Sequence, residues 1–167
     1  MISPFKKEVF SFGILYIVYI FAVRLFFLRA YAYRKENMSE IFDLQRFLDA
    51  QEFLGTYERV LTELGNGRKR SHWIWFIFPQ QKGLGHSYNS EYFGLEGTEE
   101  AKAFLEHPVL GKRLRECCNL LMSQAEKKNI RDIMGSGIDV LKLKTSMTLF
   151  NSVSPNDIFA DVLQSFF

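Results

Sequence analysis

Apolar residues recur every three or four positions along most of the chain after residue 38, which is the spacing that gives an α-helix one buried face. Glycine and proline interrupt these runs at Gly65, Pro108, Gly135 and Pro155, and such residues commonly end one helix or begin the next. The pattern predicts about seven short helices. Representative apolar runs are Leu44, Phe47 and Leu48; Tyr57, Val60, Leu61 and Leu64; and Val140, Leu143, Met147 and Phe150.

Residues 73–78 (WIWFIF) are continuously apolar, so periodicity alone does not separate a buried strand from a buried helix. Pro79 prevents extension of the run, and Ser71 is placed to cap a helix that follows it. No second strand candidate occurs in residues 38–167, and a lone strand would have no partner for its backbone hydrogen bonds. A short helix is therefore predicted, followed by an ordered loop over residues 80–97.

These elements predict an all-α fold, in which residues 38–167 form a compact multihelical single domain and an apolar N-terminal helix precedes it. Aromatic residues make up 16% of the chain, so a few large rings should dominate the core. Asp139 is expected to cap the helix that contains Val140 and Phe150.

The first 37 residues form an apolar leader with basic flanks. Residues 9–23 carry no charge, and residues 9–28 contain only Arg24, so this stretch has about the 20 residues needed to span a bilayer. Basic residues are more numerous after it than before it, so a spanning leader would place the domain on the cytoplasmic side. Two alternatives remain open. Met38 can be the true start, or the leader can be an additional soluble helix.

Charge and cysteine content narrow the function classes. Residues 1–37 hold six of the 21 basic and two of the 19 acidic residues, which leaves 15 basic and 17 acidic residues in 38–167. The domain is therefore slightly acidic, and nucleic-acid binding driven by net charge is not expected. Cys117 and Cys118 are adjacent and fit neither a disulfide nor a metal motif, which favours a reducing cytoplasm. The three histidines match no zinc spacing, so no metal is expected, and no cofactor-binding motif occurs.

Four strings resemble a bacterial family, domain of unknown function 1810, some of whose members carry the label calpastatin. They are LQRFLDAQ (44–51), GRKRSHWIWFIFPQ (67–80), EHPVLGKRL (106–114) and LKLKTSMTLFNSVSP (141–155). The resemblance covers nearly all of 40–167 and implies an all-helical, small cytosolic protein with no assigned activity. Members of the family usually begin near the equivalent of Met38 and extend beyond the equivalent of Phe167. The domain is therefore expected to be truncated at its C-terminus.

Polar residues without an evident structural role gather around the run Arg68-Lys69-Arg70, directly before the predicted helix. Cations beside the free backbone N–H groups of a helix start make an anion site. His72 is the candidate for proton transfer, and the polar loop after Pro79 supplies further side chains. The candidate ligand-binding residues are Arg46, Arg68, Lys69, Arg70, Ser71, Trp73, Gln80, His86, Ser87 and Tyr92.

The hypothesis from these residues is a small cytoplasmic protein that binds an anionic small molecule, such as a nucleotide or an ADP-ribose-like compound. Whether it is an enzyme is left open. If it is one, His72 would transfer a proton while Arg68 and Arg70 hold phosphate. The alternative is a non-catalytic module that binds a protein or a nucleic acid through the same basic loop. A membrane would be contacted only through residues 9–28.

Overall fold

The structure, a computed structural model, describes residues 17–30 and 41–167. Residues 17–30 form helix α1, which belongs to a unit of residues 1–40, and Ile41–Phe167 form a second compact unit. Within the described residues, no helix has both the length and the apolar character needed to cross a bilayer. The first part of the membrane segment predicted at residues 9–28 lies outside the described residues.

Ile41–Phe167 is built from helices, and within it the described residues contain no strand beyond one isolated bridge between Gln81 and Leu95. The prediction of an all-α, multihelical fold is confirmed. The helix count in this unit is nine, because α5 lies in the predicted loop and a 3₁₀ turn, Phe53–Gly55, separates α2 from α3. The helices are α2 Gln45–Glu52, α3 Thr56–Gly65, α4 Ile74–Ile77, α5 Tyr88–Tyr92, α6 Thr98–Glu106, α7 Leu110–Met122, α8 Ile130–Met134, α9 Gly137–Val153 and α10 Ile158–Phe166.

A chain of ring contacts runs through the core. Phe47 of α2 meets Phe104 of α6 edge to face with centroids 5.0 Å apart, Phe104 meets Phe150 of α9 at 5.6 Å, and Phe150 meets Phe159 of α10 at 5.5 Å. All four rings are fully buried. Such pairs contribute about 0.5–1.5 kcal/mol each beyond the burial of their area, so this chain ties four helices together.

Helices α6 and α7 approach closely at Gly111. A Cβ atom built there would lie 2.0 Å from the carbonyl oxygen of Leu105, so only glycine fits. Arg115 of α7 pairs with Asp157, which also caps α10 by accepting from the Ile158 N–H at 2.8 Å. Burial would raise the pKa of Asp157, but hydrogen bonds from Arg115 and the Ile158 backbone outweigh it and lower that pKa.

The apolar run at residues 73–78 is helical as predicted, with one turn at Ile74–Ile77. Its two isoleucines are buried together with Trp73 and Phe78, whereas Trp75 and Phe76 are only half-buried. Two predicted caps are wrong. Trp73, without a side-chain hydrogen bond, occupies the N-cap of α4, because the Ser71 hydroxyl donates to Glu63 instead. Ser136 caps α9 by accepting from the Asp139 N–H, which leaves the Asp139 carboxylate available to other groups.

Candidate functional site

The segment 68–73 is held from inside by a single carboxylate, that of Glu63 on α3. Its oxygens accept from the Arg70 N–H at 2.8 Å, the Ser71 N–H at 3.1 Å, the Ser71 hydroxyl at 2.7 Å and the Trp73 indole N–H at 2.8 Å. Glu63 is buried. The backbone N–H groups of Arg70 and Ser71, which the sequence suggested for a ligand anion, are therefore bonded to an anion of the protein itself.

The environment of Glu63 favours its charged form. Burial by itself would raise the pKa of this carboxyl group. The hydrogen bonds from the Arg70 backbone, Ser71 and Trp73 act in the opposite direction and are the stronger effect, so the pKa lies below its ordinary value. Glu63 thus remains ionised at neutral pH and keeps the Trp73 ring and the loop before it in place.

A cleft of about 420 Å³ opens on the outer side of this segment, between α2, the 3₁₀ turn and α3; it is called the aromatic cleft below. It brings together five residues of the predicted set, namely Arg46, Ser71, His72, Trp73 and Tyr92. Sequence reasoning did not assign the remaining lining residues to a site. These are Asp49, Ala50, Phe53, Thr56, Arg59, Phe76 and Phe93.

The rings of the aromatic cleft differ in exposure. Trp73 is fully buried and its indole N–H is bonded to Glu63, so this residue supplies the floor. Phe53 is 68% exposed and Tyr92 is 44% exposed. Tyr88, one turn earlier on α5, stacks on Tyr92 with 8° between the ring planes. The exposed rings therefore stand at the rim, where a flat ligand could contact them.

The two arginines of the cleft have different roles. Arg46 pairs with Glu100 at 2.7 Å and also donates to the carbonyl oxygens of Tyr92, Gly94 and Asp43. Its side chain is nearly buried, so it fastens α2 to the end of α5 and to α6. Arg59 is exposed, and the described residues use only one of its N–H groups, which donates to the Leu54 carbonyl at 3.0 Å. Arg59 is thus the cation of this cleft that is available to a ligand.

His72 and Asp49 are the other ionisable groups of the aromatic cleft. His72 is exposed and has no hydrogen-bond or ion-pair partner within residues 17–30 and 41–167. Asp49 is exposed and accepts from the Gln45 amide at 2.8 Å, one turn earlier on the same helix. His72 is therefore free to donate to or accept from a ligand, whereas the Asp49 carboxylate already has one donor.

The remaining predicted residues lie elsewhere. Arg68 and Arg70 are exposed and do not line the cleft. Lys69 turns the other way and pairs with Asp139 of α9 at 2.7 Å. Gln80 is buried and accepts from the Thr145 hydroxyl at 3.0 Å. His86 is exposed in the loop before α5, and Ser87 caps α5 by accepting from the Ser90 N–H.

Arg59 and Phe53 carried weak sequence signals. Arg59 lies with Glu58 between the apolar residues Tyr57 and Val60, which is the pattern of an ordinary solvent-facing position of an amphipathic helix. Phe53 is apolar but falls just before Gly55, outside the periodic runs. An aromatic residue in a turn was the available sign that this part of the surface exposes a ring.

A second cleft, of about 300 Å³, shares Arg46 and Tyr92 with the aromatic cleft. Four carboxylates line it, and two of them, Glu96 and Glu100, are paired with Lys82 and Arg46. The other two carboxylates belong to Asp43 and Glu91. An anionic ligand is repelled here, so of the two adjoining clefts the aromatic one is better suited to an anion.

The described residues contain neither a group of side chains that could hold a metal ion nor an accessible thiol. In the part of the chain that the structure describes, no three His, Cys, Asp or Glu residues are grouped to hold a metal ion. Cys117 and Cys118 are both free thiols in the core. Burial raises the pKa of each thiol, so both are protonated at neutral pH and are poor nucleophiles.

Comparisons with known proteins agree with the resemblance seen in the sequence. The model of the family described as "Protein of unknown function (DUF1810)" matches residues 41–167. The crystal structure of the conserved hypothetical protein Rv1873 from Mycobacterium tuberculosis is similar, with 44% sequence identity and a TM-score of 0.70, over 75% of this chain and 87% of that one. No curated protein matches significantly. The chain belongs to the DUF1810 family.

Proposed function

We propose that the aromatic cleft binds a small anionic ligand that contains a flat aromatic ring, with nucleotides as the representative class. The observation that supports this most directly is the pairing of an available cation, Arg59, with the exposed rings of Phe53 and Tyr92. A volume of about 420 Å³ falls within the common range of roughly 300–1,000 Å³ for small-molecule sites.

Each part of such a ligand has a partner in the cleft. The ring would stack on Phe53 or Tyr92, since offset stacking is favourable for aromatic faces. The anionic group would bind the guanidinium of Arg59, which can form two parallel hydrogen bonds to a phosphate or carboxylate. His72 would donate the third contact. If the protein acts on its ligand, His72 is the residue for proton transfer, because an imidazole can both donate and accept a proton.

The cation that would bind the anion in this cleft is not one of those that the sequence suggested. Arg68 and Arg70 were expected to do so, but neither lines the aromatic cleft. Replacing Arg59 and replacing Arg68 by glutamine remove the same charge from neighbouring parts of the molecule. The two variants therefore separate a specific contact in the cleft from a general electrostatic effect of the basic segment.

The test is a thermal-shift and calorimetric titration of the full 167-residue chain with AMP, ADP and NAD, with adenosine and inorganic phosphate as the separate parts. A ligand at 100 times its Kd should stabilise the protein by about 2.7 kcal/mol. Arg59→Gln should weaken binding about tenfold, which corresponds to about 1.4 kcal/mol, and Arg68→Gln should leave it unchanged. The proposal fails if no nucleotide raises the melting temperature, or if both variants weaken binding equally.

The exposed rings also support a second candidate function, the docking of another protein at the rim of the same cleft. Leu54 is 76% exposed and next to Phe53, and both lie close to Arg59 along the chain. Exposed neighbouring apolar side chains are typical of protein contact surfaces. Under this alternative, no nucleotide binds and Phe53→Ala abolishes co-purification of a partner.

We further propose that the protein acts in the cytoplasm, since its two thiols are unpaired.

A further inference from the structure

Besides the Glu63 network, segment 68–73 takes part in a second set of charged side chains through Lys69. This set is distinct from the aromatic cleft. The Asp139 carboxylate lies between two lysines, with Lys69 Nζ at 2.7 Å from Oδ2 and Lys142 Nζ at 3.4 Å from Oδ1. These side chains are 7%, 15% and 17% exposed for Lys69, Asp139 and Lys142. Together with Trp75 they are called the lysine cluster, and none of the four lines the aromatic cleft.

Indole rings cover both ammonium groups. Lys142 Nζ lies 4.3 Å from the centroid of the Trp75 ring, and Lys69 Nζ lies 5.2 Å from that of Trp73. A cation over an indole face is attracted by the ring, and the ring also removes water from it. Two partly desolvated cations share one carboxylate, so the lysine cluster has a surplus of one positive charge in surroundings where charge is poorly screened.

Hydrogen-bond donors exceed acceptors in the lysine cluster and around it. Each ammonium group has three N–H bonds. The carboxylate of Asp139 is the side-chain acceptor that the described residues offer to either lysine. The Trp75 indole N–H is buried and, within the described residues, has no acceptor. Ser146, one helical turn after Lys142 on α9, has a buried hydroxyl that is likewise unpaired there.

Two of the predicted ligand residues that do not line the aromatic cleft, Lys69 and Gln80, lie in this region. Lys69 belongs to the lysine cluster, and Gln80 is bonded to Thr145, which lies between Lys142 and Ser146 in sequence. Gln80 uses its oxygen for that bond, so its amide N–H groups remain available as donors. The unpaired N–H donors would be satisfied by a group with several acceptor oxygens, and the excess positive charge would be neutralised by an anion. A compact oxyanion has both properties.

We propose that the lysine cluster binds an oxyanion of the phosphate class, placed against Lys142 and the Trp75 indole N–H. The anion shares the two ammonium groups with Asp139 and supplies the acceptor that Trp75 lacks. It is carried either by inorganic phosphate or by a small phosphate monoester. This site uses no residue of the aromatic cleft except the shared Trp73 ring, so it stands or falls independently of the proposed nucleotide site.

The two tryptophans of the chain provide the test in the unmodified protein. Sodium phosphate, and separately glycerol phosphate, is titrated into the full-length ¹⁵N-labelled chain at constant ionic strength, and the indole N–H signals are followed. The Trp75 signal should move saturably. The Trp73 signal should move much less, because its N–H is already bonded to Glu63 at 2.8 Å. Movement with both compounds or with glycerol phosphate alone supports the site and identifies the form of the anion.

Variants decide whether the lysine cluster is responsible. Lys142→Gln should weaken the response at least tenfold, whereas Lys144→Gln, an exposed position on the same helix, and Arg59→Gln in the aromatic cleft should not. Asp139→Asn should strengthen it severalfold by removing the competing carboxylate, an outcome that a purely structural role for these residues does not produce. A stationary Trp75 signal with both compounds, or normal binding by Lys142→Gln, would overturn the proposal.

Discussion

The two sides of segment 68–73 differ in whether their polar groups have hydrogen-bond partners within the protein. On the Glu63 side, four N–H and O–H donors meet one buried carboxylate at 2.7–3.1 Å, and every group has its partner. On the cleft side, His72 has no partner among the described residues and Phe53 is 68% exposed. Satisfied buried groups stabilise a fold, whereas available groups beside exposed rings can bind something else. The inner side holds the segment so that the outer side can remain open.

Three successive cations show the same division. Arg68 and Arg70 point outward and are exposed, while Lys69 between them is nearly buried against Asp139. Their chemistry is similar, so the difference comes from what each side chain faces. A basic run in a sequence therefore need not act as one patch.

Of the changes that test this contrast, removal of the Glu63 side chain should have the largest effect on stability. In Glu63→Ala the donors of Arg70, Ser71 and Trp73 lose their shared acceptor in a buried place, which should lower the free energy of unfolding by about 3 kcal/mol or more. Urea denaturation measures this. Glu58→Ala, at an exposed position of the same helix, should change it by less than about 0.5 kcal/mol. A loss below about 1 kcal/mol for Glu63→Ala would mean that the inner network is not the anchor.

Acid should gradually weaken both the inner side of segment 68–73, held by Glu63, and the cap of α10, held by Asp157. The pKa values of Glu63 and Asp157 are lowered in the folded state, so the unfolded chain takes up their protons first as the pH falls. Their contribution is complete above the ordinary carboxyl values of about 4 and is lost as the pH drops through the folded values. Melting temperatures measured from pH 7 to pH 3 should fall, and Glu63→Gln should make this fall shallower. An unchanged slope would exclude Glu63 as a source of acid sensitivity.

Replacing the three cations one at a time sharpens the contrast between inward and outward groups. Lys69→Gln should lower the free energy of unfolding by about 1–2 kcal/mol, because it breaks a largely buried ion pair. Arg68→Gln and Arg70→Gln should each stay within about 0.5 kcal/mol of the wild type. Chemical denaturation of the three variants gives the comparison, and equal effects at all three positions would contradict it.

The smallest expected effect concerns strain at the rim of the cleft. Leu54 has φ of 50° and ψ of 39°, a left-handed conformation that disfavours a leucine, and its side chain is 76% exposed. Leu54→Asn should raise the free energy of unfolding by about 0.5 kcal/mol, since asparagine tolerates this conformation. Leu84→Asn is the control, because Leu84 is also exposed but has no positive φ. Equal responses at the two positions would show that exposure rather than backbone conformation governs the effect.

The helices could be predicted because their signals are local. The runs around Phe47, Val60 and Phe150 have helical spacing, and the run Trp73–Phe78 could be assigned because no second strand candidate was present. The caps at Ser71 and Asp139 could not be predicted in the same way. Both side chains had nearby backbone N–H groups as partners, but Ser71 is bonded to Glu63 on α3 and Asp139 to Lys69 and Lys142.

The candidate site could be predicted only in part. The sequence drew attention to Arg46, Ser71, His72, Trp73 and Tyr92, which line one cleft, but it also included Lys69 and Gln80, which face α9. It did not include Arg59 or Phe53. Residue type indicates which chemistry a side chain can perform, but not which neighbour it faces.

The sequence by itself determined the all-α class, the aromatic character of the core and the family, because each depends on spacing, composition or continuous strings of residues. Only the tertiary structure decided which cations are free. The donors of Arg46 are bonded to Glu100 and three carbonyl groups, and Lys69 is paired with Asp139. Arg59, in contrast, has most of its N–H donors available for a ligand. The physical reason is that a charged group binds whichever opposite charge or dipole folding brings within about 3 Å, and these partners lie far apart along the chain.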